Sequence, residues 1–339
     1  MSKTVLLTFD YELFFKKSGS IENCIIKPVN DLIESLELSG SKVTFFIDTL
    51  FLHKLKNEND CTRMQYLIIE TQLKRLIQQG HRIELHLHPH WQDAVYDNSL
   101  NEWKFLTYDN YKLSSLHESE VRELFRSGVN MINDIAREVD PDYKVEAFRA
   151  GGWCIEPFDL LKDSFIESGI YVDSSVVPGI FMDSELHNID FRNAPKYSFY
   201  KFKDDIQKVE ETGCFIEVPL STYRISLFEK LYCFVKQRLD FKNGRIYGDG
   251  VGISPVRKNK LWKRILKSLF SHGEIQIFSI DGNLPPEFLI RRIFRASEKV
   301  ITLVAHPKTL TPGSFNFLKL SGEYGIRFLT IKEYVDTLK

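Results

Sequence analysis

The sequence predicts an α/β fold, a distorted (β/α) barrel of about seven to eight parallel strands built by a single domain that spans residues 1–339. Short β-type runs alternate with helical stretches along the chain, which is typical of parallel βαβ units. These units outnumber what an open sheet usually needs, although a doubly wound sheet stays the alternative. No linker-like or low-complexity stretch divides the chain, so long loop insertions are expected only at about 91–116 and 177–212.

The predicted strands are runs of β-branched, aliphatic and aromatic residues bounded by turn residues. They are residues 4–12, 42–48, 82–88, 144–150, 171–176, 214–223, 274–280, 299–306 and 326–331.

The predicted helices lie between these strands. Pro28 stands where a first helical turn begins, core-facing residues follow at helical spacing, and Gly40 ends the helix. A second helix covers residues 62–79 and ends before Gly80. The other predicted helices are residues 118–139, 156–168, 285–297 and 312–323.

Composition and charge exclude several classes of protein. The chain is 43% hydrophobic and 27% charged, which is typical of a globular protein with a large core. Its 45 basic and 46 acidic residues leave a net charge of -1, which argues against nucleic acid as a partner. The oligomeric state stays open.

Cysteine usage and hydropathy predict a cytoplasmic protein. The five cysteines are scattered and never spaced as C-x-x-C, so neither a disulfide framework nor a thiolate zinc site is indicated. The apolar run before Asp10 is too short for a signal peptide, and no stretch approaches the length of a spanning helix. Residues 254–270 form a basic amphipathic pattern, which fits either peripheral contact with the inner membrane face or a solvated outer helix.

Two acids end the first predicted strand. Because alternate residues of a strand face opposite sides, Asp10 and Glu12 share a face at the strand's carboxyl end. Barrel enzymes place their chemistry at that end, where one acid can bind a metal and the other can move protons. A solvated strand end is the simpler alternative.

The stretch "HLHPH" predicts a metal site. His86 and His88 share a strand face, and Pro89 ends the strand so that a turn can bring His90 back toward His86. Two histidines and a carboxylate suit Zn²⁺, with Co²⁺, Fe²⁺ or Mn²⁺ as alternatives. His88 can line the pocket, act as a third ligand or pack in the barrel interior.

The motif order resembles that of the polysaccharide deacetylases of the NodB-homology type, carbohydrate esterase family 4, and in particular their intracellular, biosynthesis-linked branch. The motifs are "TFDYE", "VTFFID", "GHRIELHLHPH", "FRAGGW", "YVDSS" and "VAHP". The resemblance implies a NodB-like distorted barrel and metal-dependent hydrolysis of N-acetyl groups on sugars. It departs from the most familiar members at Tyr11 and Leu87, in the missing proline of "RAGGW", and in a fourth motif reduced to "DSS".

The resemblance also implies roles for individual residues. Asp10 falls at the general base and Arg149 at the group that holds it. Glu12, His86 and His90 fall at the metal ligands, and His306 falls at the general acid, which Asp173 would orient. Trp91 and Trp153 join His88 as candidate pocket residues, and the aromatic loop 91–116 is a candidate lid.

Three functions follow as expectations. The first is a metal-dependent hydrolase that removes the N-acetyl group from an amino sugar or its nucleotide-, lipid- or polysaccharide-linked form, in surface polysaccharide biosynthesis. The second is an amide hydrolase on another small substrate, with or without a metal. The third is a catalytically silent carbohydrate-binding barrel. The sequence does not identify the sugar.

Overall fold

The computed structural model describes residues 3–184, 186–239, 246–253, 273–281 and 284–338. Within these ranges the strands are β1 (Thr4–Tyr11), β2 (Thr44–Asp48), β3 (Arg82–Leu87), β4 (Ala94–Asp97), β5 (Glu102–Phe105), β6 (Ala147–Ala150), β7 (Val172–Asp173), β8 (Phe181–Asp183), β9 (Asn188–Asp190), β10 (Tyr200–Phe202), β11 (Phe215–Glu217), β12 (Thr222–Ile225), β13 (Glu274–Ile277), β14 (Val300–Ala305) and β15 (Arg327–Leu329).

The α-helices of the same ranges are α1 (Lys27–Ser39), α2 (Thr49–Asn57), α3 (Asp60–Gln78), α4 (Glu118–Arg137), α5 (Asp159–Ser168), α6 (Leu227–Leu239), α7 (Pro286–Arg295), α8 (Pro312–Glu323) and α9 (Ile331–Asp336). A π-helix at Glu22–Ile26 precedes α1. Short 3₁₀ turns lie at Pro89–Asp93, Leu113–Ser115, Gly151–Trp153 and Pro307–Thr309.

The main sheet confirms the predicted distorted barrel. Its strand order is β10-β11-β7-β6-β3-β2-β1-β14, and β15 pairs with the first half of β1. All neighbours are parallel except β10 and β11, which are antiparallel. The carboxyl ends of β1, β3, β6, β7 and β14 therefore meet at one edge of the curled sheet.

Hydrogen bonds outside the regular strands connect the segment that follows β11 with β14, at the opposite end of the strand order. Ser221 donates its backbone N–H to Thr302 of β14, and Phe278 donates to Ser221. Val304 in turn donates to Phe278. The predicted strand 274–280 is thus divided: β13 pairs antiparallel with β12 outside the sheet, whereas residues 278–279 lie against β14.

The central strands are buried on both faces, as parallel strands covered by helices must be. β1 from Val5 to Tyr11, all of β2 and β3 from Ile83 onward are buried. Polar side chains on these strands therefore lose water, and each needs a partner inside the protein.

Three differences from the predicted elements follow from packing. Residues 49–57 form α2, because Asp48 caps the helix end directly after β2 with no intervening turn residue. The predicted strand 214–223 is interrupted and becomes β11 and β12. The insertions contain regular structure: the hairpin β4–β5 lies in 91–116, and the hairpin β8–β9 and the sheet strand β10 lie in the described part of 177–212.

The predicted basic amphipathic stretch 254–270 lies outside the described residues. Among the helices of the described ranges, none combines the length and apolarity that a membrane span requires.

Candidate metal centre and its flanking acid and base

Glu12 lies directly after β1 and forms the centre of a buried cluster. Its Oε2 lies 2.7 Å from His88 Nε2 and 3.2 Å from His86 Nε2. One donor atom from each of the three side chains lies within 4.8 Å of the others. His86 lies in β3, and His88 follows the strand in an extended conformation, so the two side chains, two residues apart, face the same side.

The His86 ring is oriented by the neighbouring strand. β3 and β6 place His86 opposite Arg149, and His86 Nδ1 donates to the Arg149 carbonyl oxygen over 2.7 Å. Burial lowers the pKa of His86, but the hydrogen bond of Nε2 to Glu12 and the charges of Asp10 and Glu12 outweigh it and raise that pKa above its ordinary value. Because the Nδ1 proton is held by the Arg149 carbonyl oxygen, Nε2 is the nitrogen that a cation could take in place of a proton. His86 is thereby set up as a metal ligand.

The His88 ring packs against the backbone of Gly151. A Cβ added at Gly151 would lie 2.6 Å from His88 Nδ1, so only glycine permits this approach. His88 Nδ1 has no hydrogen-bond partner within the described part of the chain. Its Nε2 lies 2.7 Å from Glu12 Oε2, so without a cation this nitrogen donates to the carboxylate, and a cation bound here would move the proton to Nδ1. Burial lowers the pKa of His88 to about 4, despite the nearby Glu12 carboxylate.

Lys308 holds the other oxygen of Glu12. Its ammonium donates to Glu12 Oε1 over 2.8 Å and to the Leu13 carbonyl oxygen over 2.7 Å. Burial raises the pKa of Glu12, but Lys308 and His88 outweigh it and hold that pKa well below its ordinary value. Glu12 is therefore ionised, with Oε2 directed at the two imidazoles.

This donor set fits a divalent cation. One carboxylate oxygen and two imidazole nitrogens are ligands that Zn²⁺ prefers, and His86 is already held in the required tautomer. The ligand set differs from the predicted one in one member, since His88 takes the place expected for His90.

His90 lies among aromatic rings instead. Its ring stacks on Tyr111 with centroids 5.3 Å apart and meets the edge of Phe15 at 4.5 Å. Neither ring nitrogen has a hydrogen-bond partner among the described residues, and burial lowers the pKa of His90 well below its ordinary value. The 3₁₀ turn after Pro89 turns the chain as expected but directs His90 to this aromatic group.

Asp10 and Arg149 form a buried ion pair beside the cluster. Arg149 Nη1 donates to Asp10 Oδ1 over 2.6 Å, while Nε and Nη2 donate to the carbonyl and hydroxyl oxygens of Ser174. Burial raises the pKa of Asp10, but Arg149, His86 and His306 outweigh it and keep the pKa below its ordinary value. Asp10 is thus an ionised carboxylate held in one orientation.

His306 follows β14 and is partnered by Asp281. Its Nδ1 donates to Asp281 Oδ2 over 2.7 Å, and its Nε2 lies 3.7 Å from Asp10 Oδ2. Burial lowers the pKa of His306, but Asp281, Glu12 and Asp10 outweigh it and raise the pKa above its ordinary value. The side chains of His306 and Asp281 are 25% and 22% exposed, so the cluster meets solvent on this side.

Asp173 does not take its predicted place beside His306, because Asp281 holds the imidazole. Asp173 is opposite Glu217 in the β7–β11 pair and accepts hydrogen bonds from the backbone N–H and hydroxyl of Ser175. Burial raises the pKa of Asp173 to about 6. Burial and the Asp173 charge raise the pKa of Glu217 well above its ordinary value. We call these two residues the acid pair.

The predicted pocket tryptophans lie in different settings. Trp91 is fully buried between Phe51, Trp103 and Phe105, so it belongs to the core of the first insertion. Trp153 is half-buried and has a positive φ of 61°. The two insertions meet above the cluster, where the Tyr111 hydroxyl lies 3.0 Å from His187 Nε2.

Sequence reasoning missed Lys308, Asp281 and Glu217. Lys308 follows the "HP" of the last motif by one residue, and Asp281 ends a β-type run just as Asp10 does. Glu217 is an acid inside the apolar run "CFIEVP". Each was visible as a charge at or near a strand end.

Comparisons with known proteins identify the fold. No family model matches the chain, and no curated protein matches it. Solved structures do match. A 4-alpha-glucanotransferase from Thermococcus litoralis is 13% identical with a TM-score of 0.50, and the match covers 99% of this chain but only 40% of that one.

Proteins described as deacetylases are also among the matching structures. A protein described as a polysaccharide deacetylase from Mycobacterium smegmatis is 13% identical with a TM-score of 0.47, covering 99% of this chain and 91% of that one. The peptidoglycan deacetylase PdaC from Bacillus subtilis is 12% identical with a TM-score of 0.36, with the same shares covered. The match with a TM-score of 0.50 shows the fold alone at 13% identity, so the chemistry rests on the side chains.

Proposed function

We propose that this chain is a metal-dependent hydrolase that removes the N-acetyl group from an amino sugar or from its nucleotide-, lipid- or polysaccharide-linked form. One observation carries the proposal: a carboxylate and two imidazoles that suit a divalent cation lie beside an ionised Asp10 and a His306 of raised pKa, whose Nε2 is 3.6 Å from Glu12 Oε1 and 3.7 Å from Asp10 Oδ2. The six motifs in family order support the choice of an acetylated amino sugar.

Glu12, His86 and His88 would hold the cation. When bound, a divalent cation supplies Lewis acidity, which polarises a carbonyl group and makes water a stronger acid. Lys308 keeps Glu12 ionised and fixes its carboxylate, so that Oε2 stays with the two imidazoles. Zn²⁺ suits this donor set best, and Co²⁺, Fe²⁺ and Mn²⁺ are alternatives.

Asp10 acts as the general base. Its Oδ1 is held by Arg149, so Oδ2 is the oxygen that can take a proton from water. Holding one oxygen fixes the orientation of the other, which general base catalysis requires. The lowered pKa keeps Asp10 ionised well below neutral pH.

His306 acts as the general acid. Because Nδ1–H donates a hydrogen bond to Asp281, Nε2 is the nitrogen that faces the reacting groups. Its raised pKa keeps the imidazolium populated near neutral pH, where it can protonate the leaving amine of the amide. Partial exposure on this side gives a substrate an approach to the cluster.

The cellular setting is part of the proposal. We place the enzyme in the cytoplasm, in surface polysaccharide biosynthesis, as in the branch that the motifs resemble. All five cysteines are free thiols, which supports a reducing compartment.

The experiment combines metal analysis with an acetate-release screen over N-acetylated amino sugars and their nucleotide-linked forms. We expect bound metal and acetate release in the wild-type protein. Asp10→Asn should abolish release but keep the metal, whereas His86→Ala should lose the metal. Asp142→Asn changes an exposed acid and serves as the control. Acetate release that survives in both Asp10→Asn and His86→Ala would contradict the proposal.

A metal-independent amide hydrolase is the second candidate function. It is favoured by Lys308, a buried cation that already contacts Glu12 and lies in the same cluster. Turnover that is unaffected by chelators, in protein free of metal by elemental analysis, would select this candidate.

A further inference from the structure

Helix α6 exposes an apolar face, although it packs beside the barrel. Phe228, Leu231, Tyr232 and Val235 are 83%, 59%, 41% and 47% exposed. They are spaced i, i+3, i+4 and i+7, so they lie on one side of the helix within about 100° of arc. A contiguous exposed apolar face of this kind marks an interaction surface.

Arginines of α7 border this face. Arg291 lies over the Tyr232 ring, 5.8 Å from its centroid, and its Nη2 lies 3.5 Å from the Tyr232 hydroxyl. Arg291 and Arg295 are exposed, and neither forms an ion pair within the described part of the chain. Together with Tyr232, Phe288 and the paired Glu229 and Arg292, they line a cavity of about 150 Å³, in which the arginines outnumber the one carboxylate.

The charge of the border is positive. The described side chains of α6 and α7 include the bases Lys230, Lys236, Arg291, Arg292 and Arg295 against the acids Glu229 and Glu287. Glu229 is paired with Arg292, and Lys230 is paired with Glu274. Arg291, Arg295 and Lys236 therefore remain to meet an external negative charge.

We propose that this surface docks on an anionic membrane. An apolar helix face bordered by arginine and an aromatic residue is the arrangement that binds the boundary between lipid headgroups and acyl chains. Phe228 and Leu231 enter that boundary, and Arg291 and Arg295 contact lipid phosphates. We call Phe228, Leu231, Tyr232, Val235, Arg291 and Arg295 the lipid face; all six lie outside the basic stretch 254–270.

A second copy of the chain is the less suitable occupant. A two-fold pairing of identical lipid faces would bring the same unpaired arginines toward one another. An anionic lipid surface instead attracts these charges, and the attraction adds to the burial of the apolar side chains.

The experiment measures cosedimentation of the full-length protein with vesicles of phosphatidylglycerol and phosphatidylcholine, and with vesicles of phosphatidylcholine alone. We expect binding to the anionic vesicles only, weakened by salt. The double variant Phe228→Gln/Leu231→Gln and the double variant Arg291→Gln/Arg295→Gln should each reduce the apparent affinity at least about tenfold. Acetate release from a water-soluble substrate should stay unchanged, because neither pair touches the metal centre.

Matched controls change other exposed residues of the same kinds. Met64→Gln/Leu67→Gln alters two exposed apolar side chains of α3, and Arg63→Gln/Lys319→Gln removes two exposed charges. Both should bind vesicles like the wild-type protein. Undiminished binding by the lipid-face variants would overturn the proposal. A dimer in solution that is lost in Phe228→Gln/Leu231→Gln, without vesicle binding, would also overturn it and assign the surface to a second copy.

Discussion

Glu12 and Glu217 are both buried acids at the carboxyl edge of the same sheet, yet their pKa values move in opposite directions. Burial raises both, but Lys308 and His88 outweigh it at Glu12. At Glu217 the charge with the largest effect is that of Asp173, which raises the pKa further and outweighs the opposing effect of Arg149. The charge of the neighbouring residue, and not depth in the protein, therefore decides which acid can bind a cation and which one keeps a proton.

Lys308→Met removes the cation that distinguishes Glu12 from Glu217. The metal-free variant leaves the Glu12 charge buried without its ammonium partner, so we expect the free energy of unfolding to fall by about 3 to 5 kcal/mol at pH 7. Urea unfolding measures this change, with Lys319→Met as an exposed control. Excess Zn²⁺ should reduce the loss. A loss no larger than that of the control would contradict the account of Glu12.

His86→Ala removes one of the two imidazoles that make the Glu12 cluster a metal site. We expect Zn²⁺ affinity, measured by titration calorimetry, to fall at least about 100-fold. Loss of a residue that only orients a ligand typically lowers metal affinity by about 10- to 100-fold, and loss of the ligand itself should lower it at least as much. His90→Ala is the matched variant and should keep the wild-type affinity, since His90 lies among aromatic rings. Loss of Zn²⁺ in His90→Ala, with retention in His86→Ala, would reverse the ligand assignment.

Asp281→Asn removes the carboxylate that is hydrogen-bonded to His306, at the same edge of the sheet as Glu12. His306 must be protonated to act as the acid, so activity falls as the pH rises through its raised pKa. Without the Asp281 charge that pKa falls, and we expect the alkaline limb of the kcat profile to move down by about one pH unit. The acid limb, which reports Asp10, should stay in place. A profile identical to that of the wild-type protein would show that Asp281 does not tune His306.

Glu217→Gln tests the acid pair and has the smallest expected effect. Groups whose pKa is raised by folding stabilise the protein fully at low pH, and this contribution is lost as the pH rises through the folded pKa. Because the amide cannot ionise, we expect Glu217→Gln to be more stable than the wild-type protein at pH 8 by on the order of 1 kcal/mol. The advantage should disappear near pH 4. Urea unfolding at both pH values, with exposed Glu323→Gln as control, measures it.

The sequence predicted the strand-borne part of the site better than the turn-borne part. Asp10, Glu12 and His86 are fixed by the alternation of strands, and the structure brings them together with Arg149 and His306. The conformation after Pro89 depends on packing against Phe15 and Tyr111, which are distant in sequence, so alternation alone could not separate His88 from His90. Asp281 and Lys308 reach the cluster only through the return of the chain around β14, which no local pattern reveals.

Sheet topology was predicted in outline for a similar reason. Parallel strands buried on both faces leave a clear apolar signal, and β1, β2, β3 and β14 were found within a few residues. The hairpins of the two insertions are short and partly exposed, so their sequences resemble loops. α2 was missed because it follows β2 without the turn residues that usually separate two elements.

Arg149 contacts both Asp10 and His86, and it does so with different groups. Its guanidinium donates to Asp10, whereas its main-chain oxygen accepts from the His86 ring. Only the contact with Asp10 depends on the arginine side chain. A substitution at position 149 can therefore abolish turnover and still keep the hydrogen bond that orients His86. If the proposed function holds, such a variant would keep an unreacted substrate bound, so that the bound molecule could be captured from cell extracts and identified by mass.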